Sequence, residues 1–502
     1  MNAQNEQNLI RSPMLWLLMA ASLVLPLALA PVLNIRFDEA FTLDTTSRDV
    51  AYAIRQALTF EQQAPLYFVV LTIWRNLDSS IFFARLFSIL CLPLFVWITA
   101  ATAQRYVKSV NPLLIAAVAA VHQQVVWSAL DIRLYSLMLV MSGLLMLLFY
   151  DGFLSERPSR RAQVLYTVAA ILALYTQYYL GFQLVAGAAA LVVLKKWKPL
   201  YRYLAAMFVT GVAFSPMLLA FSQQFSEVSS HTEDALSVMQ LAKGIYQRTM
   251  PLFVSTDWIE PEALKRWLAR ILALAISALF GWKLLNRREP ADVALAVMLV
   301  VLTGFHLAAY ALLGEQGIQH RHMSAMILPL LLGGFSAAAV FQRRRAVYIW
   351  LALLLFLNAG YLYFAYLPLA KPGDFVRVAE FVMANEAENQ PIIVFHADAV
   401  LPLEYYYHGK NKLIALPQRT NFEAWDPRQN VLKDEAQIVN IINQQAAGAE
   451  RIWLVNDGWC RYGTLPFNCQ ILENVVGKYF EVEKSQAFYD PVTVRLLRRK
   501  AL

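Results

Sequence analysis

Residues 14–43 read MLWLLMAASLVLPLALAPVLNIRFDEAFTL, an apolar run that is followed closely by two adjacent carboxylates. The run from Met14 to Leu33 has the length of about 20 residues that a helix needs to cross a hydrocarbon core of about 30 Å. Asp38 and Glu39 are therefore expected at the far membrane surface. Because a carboxylate at a membrane edge is energetically costly, this pair is a candidate functional site.

The start of the chain allows two interpretations. Ala28-Leu29-Ala30 resembles a signal-peptidase site, which would make the first apolar run a cleaved signal peptide. Pro31 follows that site, however, and the run is longer than the apolar core of about 7–15 residues that is typical of signal peptides. We therefore interpret the run as a retained first helix.

The composition is that of a membrane protein. The 502-residue chain is 58% hydrophobic and only 16% charged, which is more apolar surface than a soluble core of this length can bury. Its net charge of +8 lies in short clusters between apolar runs, as expected from the positive-inside rule and not from a nucleic-acid surface. These clusters are Arg105 with Lys108, Arg157 to Arg161, Lys195 to Arg202, Arg287 with Arg288, and Arg343 to Arg345.

If the basic clusters lie on the cytoplasmic side of the membrane, the sequence predicts about eleven membrane crossings. The predicted crossings are residues 14–33, 81–104, 111–129, 133–154, 163–178, 180–196, 201–221, 266–285, 291–312, 323–341 and 346–368. With a cytoplasmic N-terminus, an odd number of crossings puts everything beyond about Lys371 outside the cytoplasm.

The first external loop, residues 34–80, is expected to be structured. The stretch from Ser47 to Leu58 has apolar residues at helical spacing, which predicts an amphipathic surface helix capped by Ser47. Pro65 to Leu77 is apolar, but its 12 or so residues reach only about 18 Å as a helix. We interpret it as a re-entrant or interfacial helix with Pro65 in its first turn.

The sequence as a whole predicts two domains: a membrane module over residues 1–370 and a soluble domain over residues 371–502. Short apolar runs that alternate with helical patterns indicate a small α/β layer domain. Strands are predicted at 391–395, 413–416, 451–455 and 493–497, and helices at 375–385 and 434–445. The domain has no glycine-rich phosphate loop, so we expect a structural or acceptor-guiding role.

Two of the three cysteines, Cys460 and Cys469, lie in this domain within a short, turn-rich segment. In an oxidising compartment a disulfide between them is sterically reasonable. Two free thiols are the alternative.

Three further polar clusters are predicted on the same membrane face as Asp38. They are the stretch from Trp127 to Ser136, which includes Asp131 and Arg133, the stretch from Gln319 to His322, and the stretch from Tyr175 to Tyr179. Each has a structural alternative. Asp131 can simply pair with Arg133, the tyrosines can form an ordinary aromatic belt, and the histidines can be solvated loop residues.

Taken together, these residues resemble the GT-C superfamily of polyprenyl-phosphate-sugar glycosyltransferases, and are similar to its protein O-mannosyltransferases and lipid A aminoarabinose transferases. The resemblance rests on four segments in order, which are Phe37 to Leu43, Ala64 to Phe68, Asp131 to Leu137, and Arg321 with Leu328 to Leu332. It implies a multi-pass protein of a bacterial inner membrane, with a cytoplasmic N-terminus and a periplasmic C-terminal domain.

The chain departs from that family at two positions. Gln63 and Gln177 stand where many relatives carry histidine, so each replaces a titratable imidazole with an amide. This argues against a contact from histidine to a metal ion or to the donor phosphate at these positions.

The resemblance implies a sugar transfer from a polyprenyl-phosphate donor to a lipid, glycan or protein of the cell envelope, such as lipopolysaccharide. Asp38 is the implied general base with Glu39 as its helper, and Asp131 orients the acceptor or shares a divalent cation with Asp38. Arg321 is the implied ligand of the lipid phosphate, since a guanidinium matches phosphate geometry. Further residues expected to contact donor or substrate are Arg133, Tyr135, Tyr67, Gln63, Tyr178 and His320.

Two other functions remain open from the sequence. A secondary transporter or lipid flippase also uses membrane carboxylates, although transporters usually carry repeated halves with charges near the membrane midplane. An oligosaccharide polymerase or ligase would use a lipid-linked donor as well. The sequence leaves open which sugar and acceptor are used and whether a divalent metal ion is the cofactor.

Overall fold

The computed structural model describes residues 9, 11–230, 237–341, 343–463 and 465–500. The chain folds into two compact units that do not follow chain order. The membrane unit contains Gln63–Ala365 together with the chain up to Ala30, and the tail unit contains Pro31–Gln62 and Tyr366–Leu502. Most of the segment that carries Asp38 thus belongs to the same compact unit as the C-terminal domain.

The membrane unit is built from α-helices. In the described part of the chain these are Pro13–Leu29, Leu66–Arg75, Ile81–Tyr106, Pro112–Val121, Gln123–Leu130, Tyr135–Phe149, Arg160–Thr176, Leu180–Val193, Trp197–Phe214, Leu218–Ser230, Val238–Phe253, Glu262–Arg287, Pro290–Gly317, Ile327–Ala338 and Arg344–Tyr366. Short π or 3₁₀ turns occupy Tyr150–Leu154, Ser215–Met217, His320–Met326 and Ala339–Phe341.

Seven segments of the described residues are long and apolar enough to cross a membrane, and the bent pair Pro112–Val121 and Gln123–Leu130 makes an eighth. Their outward side chains are those of a lipid-facing surface, because large apolar residues such as Phe208, Leu219 and Leu274 are 70–78% exposed. The predicted polytopic helical membrane protein is thereby confirmed.

Helices occupy each of the eleven predicted places, but the number of crossings remains a prediction. Three of the helices are short: Pro13–Leu29 and Arg160–Thr176 have 17 residues each, and Leu180–Val193 has 14. At 1.5 Å per residue they reach about 21–26 Å, which is less than a hydrocarbon core of about 30 Å.

The segment Pro31–Gln62 of the tail unit contains two helices, Phe37–Thr45 and Val50–Thr59, which we call the first and second loop helices. The second confirms that a helix lies in the predicted stretch, and its place on the membrane surface stays a prediction, but Ser47 as its cap was wrong. The Asp49 carboxylate caps it by accepting a hydrogen bond from the Tyr52 backbone N–H at 2.7 Å. Asp49 stands directly before the first helical residue in an extended conformation, so its short side chain reaches the third amide, whereas Ser47 lies two residues too early.

The membrane unit also has the short helix predicted after this segment, over Leu66–Arg75. Pro65 lies at its N-cap with helical dihedral angles, and its carbonyl accepts from the Val69 backbone N–H at 3.0 Å, as expected for a proline at the first turn. At 10 residues the helix extends about 15 Å, too short to span a bilayer.

The described residues of the C-terminal domain form a five-stranded sheet with the order β2-β1-β3-β7-β6. Strand β1 (Ile392–Phe395) pairs in parallel with β2 (Leu413–Ala415) and β3 (Arg451–Asn456). The remaining two strands, β6 (Phe480–Ala487) and β7 (Thr493–Arg499), complete it, with β7 antiparallel to both β3 and β6. A small hairpin of β4 (Arg461–Tyr462) and β5 (Leu465–Pro466) lies outside this sheet.

Helices cover both faces of the sheet because its strand β1 is apolar and buried at every position. Ile393 and Phe395 of β1 point into one core with the helices Glu435–Gln445 and Cys469–Tyr479. Ile392 and Val394 point into the opposite core with the helices Phe375–Asn385 and Val400–Glu404. Such continuous apolar runs are typical of parallel strands that are buried on both faces. The predicted α/β domain is confirmed.

Candidate active site

Asp38 and Glu39 lie in the first turn of the first loop helix, but their surroundings differ. Glu39 is fully buried, and its Oε2 accepts a hydrogen bond from the Arg36 backbone N–H at 3.0 Å. The same oxygen forms an ion pair with Nζ of Lys371 at 2.8 Å. Asp38 is only partly buried. The two carboxylates thus differ: that of Glu39 is buried and paired with Lys371, whereas solvent reaches part of the Asp38 side chain.

The second polar cluster forms a buried turn in the membrane unit. Asp131 and Arg133 lie between the helices Gln123–Leu130 and Tyr135–Phe149, and are only 3% and 5% exposed. Both charges act on the hydroxyl of Tyr67, which is itself completely buried in the helix Leu66–Arg75. The structure therefore gathers three of the predicted site residues around one buried position.

The predicted phosphate ligand Arg321 belongs to the 3₁₀ turn His320–Met326 of the same unit. Its guanidinium lies over the ring of Tyr135, 5.5 Å from the ring centroid. The ring of Trp127 completes the arrangement, with its centroid 5.6 Å from that of Tyr135 and 6.2 Å from that of His320. Aromatic rings thus hold a permanently charged guanidinium beside the Asp131–Arg133 turn.

Two members of this group were not among the predicted site residues. Tyr179 stacks on His322 with ring centroids 5.4 Å apart, and its hydroxyl donates to the backbone carbonyl of Gly317 at 2.6 Å. The ring of His322 also packs against that of Tyr135, with centroids 6.1 Å apart, and interacts electrostatically with Arg321 and Arg133. Both residues stood in polar clusters of the sequence, but the pattern of a tyrosine belt and of loop histidines gave no sign of their contact.

The remaining predicted residues are placed elsewhere in the membrane unit. Gln63 and Gln177 contact each other through a long hydrogen bond of 3.4 Å between Nε2 of Gln177 and Oε1 of Gln63. Tyr178 packs against Phe214 and Phe221 at 6.1 and 5.1 Å. Tyr178 and Tyr179 therefore point to different surroundings, although they are adjacent in the sequence.

A metal centre does not match the side chains that the structure describes. Within those residues, no group of three or more His, Cys, Asp or Glu side chains is arranged to hold a metal ion. The amide pair of Gln63 and Gln177 is also a poor ligand set for transition metals. We derive no step through a metal ion.

Cys460 and Cys469 are bonded to each other as a disulfide in the tail unit, with their Cα atoms 5.6 Å apart. The bond joins the residue before the β4–β5 hairpin to the first residue of the helix Cys469–Tyr479. Its sulfurs are part of the framework of the domain and take no part in the candidate site.

The helical membrane unit and the α/β tail unit define a multi-pass helical membrane protein with a C-terminal α/β domain. The chain has the fold of ArnT from Cupriavidus metallidurans. A crystal structure of that protein bound to undecaprenyl phosphate has a TM-score of 0.57 and 12% identity, covering 97% of this chain and 98% of that chain. Its apo structure has a TM-score of 0.58 and 13% identity, covering 96% and 97%.

A more distant match is the archaeal oligosaccharyltransferase AglB from Archaeoglobus fulgidus, in complex with an inhibitory peptide and a dolichol-phosphate. Its TM-score is 0.41 with 10% identity over 87% of this chain and 69% of that chain, and we base no conclusion on it. No protein-family profile and no curated protein sequence matches the chain. The GT-C fold that the sequence predicted is confirmed by the structural match with ArnT.

Proposed function

We propose that this protein is a membrane glycosyltransferase that transfers a sugar from a polyprenyl-phosphate donor to an acceptor of the cell envelope. The main support is the position of Arg321 over the Tyr135 ring, next to the buried Asp131–Arg133 turn. A guanidinium that packs against aromatic rings is able to bind the phosphate of a lipid carrier through charge-assisted hydrogen bonds. The fold adds support, because ArnT shares it over nearly its full length and was crystallised with undecaprenyl phosphate.

The donor phosphate is proposed to bind at Arg321, with Arg133 as a second positive charge. A guanidinium presents its donors in a rigid fork and stays protonated at any relevant pH, so it balances the phosphate charge throughout the reaction. The Tyr135 ring under the guanidinium, with the Trp127 ring tilted against it, is proposed to fix the direction of that fork. Asp131 is proposed to orient the acceptor.

The transfer step needs a base and no general acid, because polyprenyl phosphate is a good leaving group. The acceptor oxygen or nitrogen attacks the anomeric carbon, and the bond from that carbon to the phosphate oxygen breaks. The proton of the acceptor passes to the carboxylate of Asp38, and the phosphate leaves with the bonding electron pair. Attack from the face opposite the phosphate inverts the anomeric configuration, and general-base assistance supplies about 10²- to 10⁴-fold in rate.

The proposed location is a bacterial inner membrane with the N-terminus in the cytoplasm and the tail unit in the periplasm. The positive-inside pattern of the basic clusters supports this orientation. A disulfide between Cys460 and Cys469 is consistent with an oxidising compartment.

The test is a transfer assay with purified protein in proteoliposomes. The donors are undecaprenyl phosphates that carry a radiolabelled hexose, N-acetylhexosamine or aminopentose, and the acceptors are lipid A, lipopolysaccharide core and a mixed envelope extract. We expect one donor to label one acceptor, and mass spectrometry of the product to show a single added sugar. Addition of a pre-built glycan would identify a polymerase or ligase instead, and donor movement across the bilayer without transfer would identify a flippase.

Asp38→Asn tests the base within the same assay. We expect the variant to bind undecaprenyl phosphate normally and to lose at least 100-fold in transfer rate, about the contribution of a general base. Asp49→Asn is the matched control, since it makes the same chemical change in the same segment and asparagine is an equally good helix cap. Normal transfer by Asp38→Asn would refute the assignment.

A further inference from the structure

We infer that Lys371 is a positioning residue for Asp38, acting through Glu39. Lys371 follows the last helix of the membrane unit in sequence and belongs to the tail unit. Its ammonium group lies 2.8 Å from Oε2 of Glu39, with both side chains at most 5% exposed. The inference rests on the proposed function, because it names a residue that supports the proposed base.

The ion pair fixes the first turn of the first loop helix. Glu39 occupies the third position of that helix and also accepts the hydrogen bond from the Arg36 backbone N–H, so its carboxylate closes the helix start. Asp38 directly precedes Glu39 and lies within the turn that this hydrogen bond closes. Any displacement of the Glu39 carboxylate therefore changes the direction in which the Asp38 side chain leaves the helix.

Burial explains why Lys371 is required. A fully buried carboxylate without a counter-charge is strongly unfavourable, and removal of one partner of a buried ion pair typically costs about 3–5 kcal/mol. Glu39 is fully buried and Lys371 nearly so, and Nζ stands at hydrogen-bond distance from the carboxylate. The helix start is therefore stable only when both charges are present or both are absent.

The C-terminal part of the tail unit holds the same segment at three further points. The backbone N–H of Lys371 donates to Oδ1 of Asn34 at 2.8 Å, and the backbone N–H of Ile35 donates to the hydroxyl of Tyr406 at 2.8 Å. The ring of Phe37, next to Asp38, packs against Trp459 with centroids 5.9 Å apart. Three of the four residues before Asp38 are thus held by the C-terminal part of the tail unit, which gives this domain a role in positioning the proposed base.

The first experiment measures hydrogen exchange of the full-length protein in detergent. Lys371→Met is expected to increase amide exchange in Phe37–Thr45, because Glu39 loses its counter-charge. The double variant Glu39→Gln with Lys371→Met removes both charges, keeps a side chain that can cap the helix, and is expected to restore protection. Lys478→Met is the matched control, since Lys478 forms an exposed ion pair with Glu435 in the same unit.

The second experiment measures transfer kinetics for each variant, with the undecaprenyl-phosphate sugar that the wild type uses. Turnover is normalised to the number of sites that bind undecaprenyl phosphate, so that partly unfolded protein does not contribute. For Lys371→Met we expect kcat per site to fall about 10- to 100-fold with donor KM unchanged, because small misplacements of a catalytic group cost about that much. Lys371→Arg keeps the positive charge and is expected to recover most of the rate.

The outcomes separate this inference from the proposed function. Unchanged exchange in Lys371→Met overturns the inference whether or not the protein is a glycosyltransferase. Increased exchange with a normal kcat per site overturns it as well, because Lys371 would then be merely structural. A wild type without transfer activity refutes the proposed function, and the exchange data alone then decide whether Lys371 fixes the helix.

Discussion

Nε2 of Gln177 donates a hydrogen bond to Oε1 of Gln63 at 3.4 Å, although the two residues are 114 positions apart in the sequence. These are the two positions at which the sequence departs from the family pattern that it resembles, with an amide in place of histidine. The contact makes the two departures neighbours in the fold. A single histidine opposite a glutamine would keep a titratable group there, whereas two amides are neutral at every pH.

The first prediction concerns metal binding at this pair. Two nitrogens that bind zinc at 2.0–2.1 Å in tetrahedral geometry lie about 3.4 Å apart, which is the separation of the two amide atoms. The double variant Gln63→His with Gln177→His is therefore expected to gain a zinc site, whereas the wild type has none at this pair. Elemental analysis after dialysis against micromolar zinc, and the zinc-dependent shift in Tm, measure the gain.

The single variants Gln63→His and Gln177→His are the controls for that experiment, because one imidazole beside one amide is a weak ligand set. Equal zinc content in the wild type and the double variant would contradict the geometric argument.

The second prediction concerns Arg321. If its guanidinium binds the donor phosphate, Arg321→Lys keeps the charge but loses the two-pronged hydrogen bonding, and Arg321→Ala loses both. We expect donor KM to rise about 10- to 100-fold in Arg321→Ala, the equivalent of a charged hydrogen bond of about 1.5–3 kcal/mol. Steady-state transfer kinetics at varied donor concentration measure the change.

Arg248 offers a matched control for Arg321. Its guanidinium also lies over an aromatic ring, 4.4 Å from the centroid of Tyr310, and its Nε donates to the backbone carbonyl of Ile318 at 2.6 Å. Arg248→Lys is expected to lower Tm and to leave donor KM unchanged. An equal rise in donor KM for both arginines would show that the effect of Arg321 is structural.

Apolar periodicity and turn residues predicted most of the fold, because these signals are local. Each of the predicted crossings contains a helix, and β1, β2, β3 and β7 lie where short apolar runs predicted strands. Strand β6 was missed because it is an edge strand with mostly exposed, charged residues, and Val482 in its middle is 46% exposed. Edge strands that carry such charges lack the apolar pattern on which a prediction relies.

The candidate site was less predictable because its key contacts are not local. The first loop helix begins at Phe37 with Arg36 and not Ser, Thr, Asp or Asn at its N-cap, so its start carries no local signal. What closes its first turn is Glu39, and the partner of Glu39 is Lys371, 332 residues away. Asp131, Arg133 and Arg321 could be selected as candidate site residues from the sequence. The packing of aromatic rings around them could not be predicted in that way.

The third prediction concerns a buried polar triad among the membrane helices. Nζ of Lys283 lies 2.7 Å from Oδ2 of Asp292 and donates to Oγ of Ser336 at 2.7 Å, and Ser336 donates to Oδ1 of Asp292 at 2.5 Å. All three side chains are nearly inaccessible. Because the charges satisfy each other, we interpret the triad as structural and not as a proton relay.

Asp292→Asn tests that interpretation. It leaves the Lys283 charge uncompensated and is expected to destabilise the protein by about 3–5 kcal/mol, whereas Lys283→Met with Asp292→Leu removes both charges and is expected to be close to neutral. Thermal unfolding in detergent measures stability, and transfer per donor-binding site is expected to stay at the wild-type rate. Loss of transfer in the stable double variant would show instead that the triad takes part in function. Lys265→Met, at a partly exposed ion pair with Asp257, is the control.

The last prediction concerns the pH dependence of the tail unit. His396 follows β1 and is only 4% exposed; its Nδ1 lies 2.5 Å from Oδ2 of Asp457, and its Nε2 lies 3.9 Å from Oδ2 of Asp398. Its ring also packs against Phe37 and Phe467. Burial alone lowers the pKa of His396, but the attraction of the two carboxylates outweighs it, and the pKa lies above its usual value of 6.5.

The sign of the effect follows from this shift. A histidine whose pKa is raised in the folded state stabilises the fold fully below its unfolded pKa of about 6.5, and that contribution is lost as the pH rises through the folded pKa. The free energy of unfolding is therefore expected to fall as the pH rises above about 6.5 and through the folded-state pKa of His396. His396→Gln is expected to be less stable by about 3–5 kcal/mol at pH 6, because Asp457 and Asp398 lose the buried counter-charge, and to have a flatter pH profile.

Thermal unfolding of the full-length protein in detergent at several pH values measures both effects, with His408→Gln at an exposed position as the control. Parallel pH profiles for wild type and His396→Gln would contradict a protonated His396, and the tail would then hold Phe37 by packing alone.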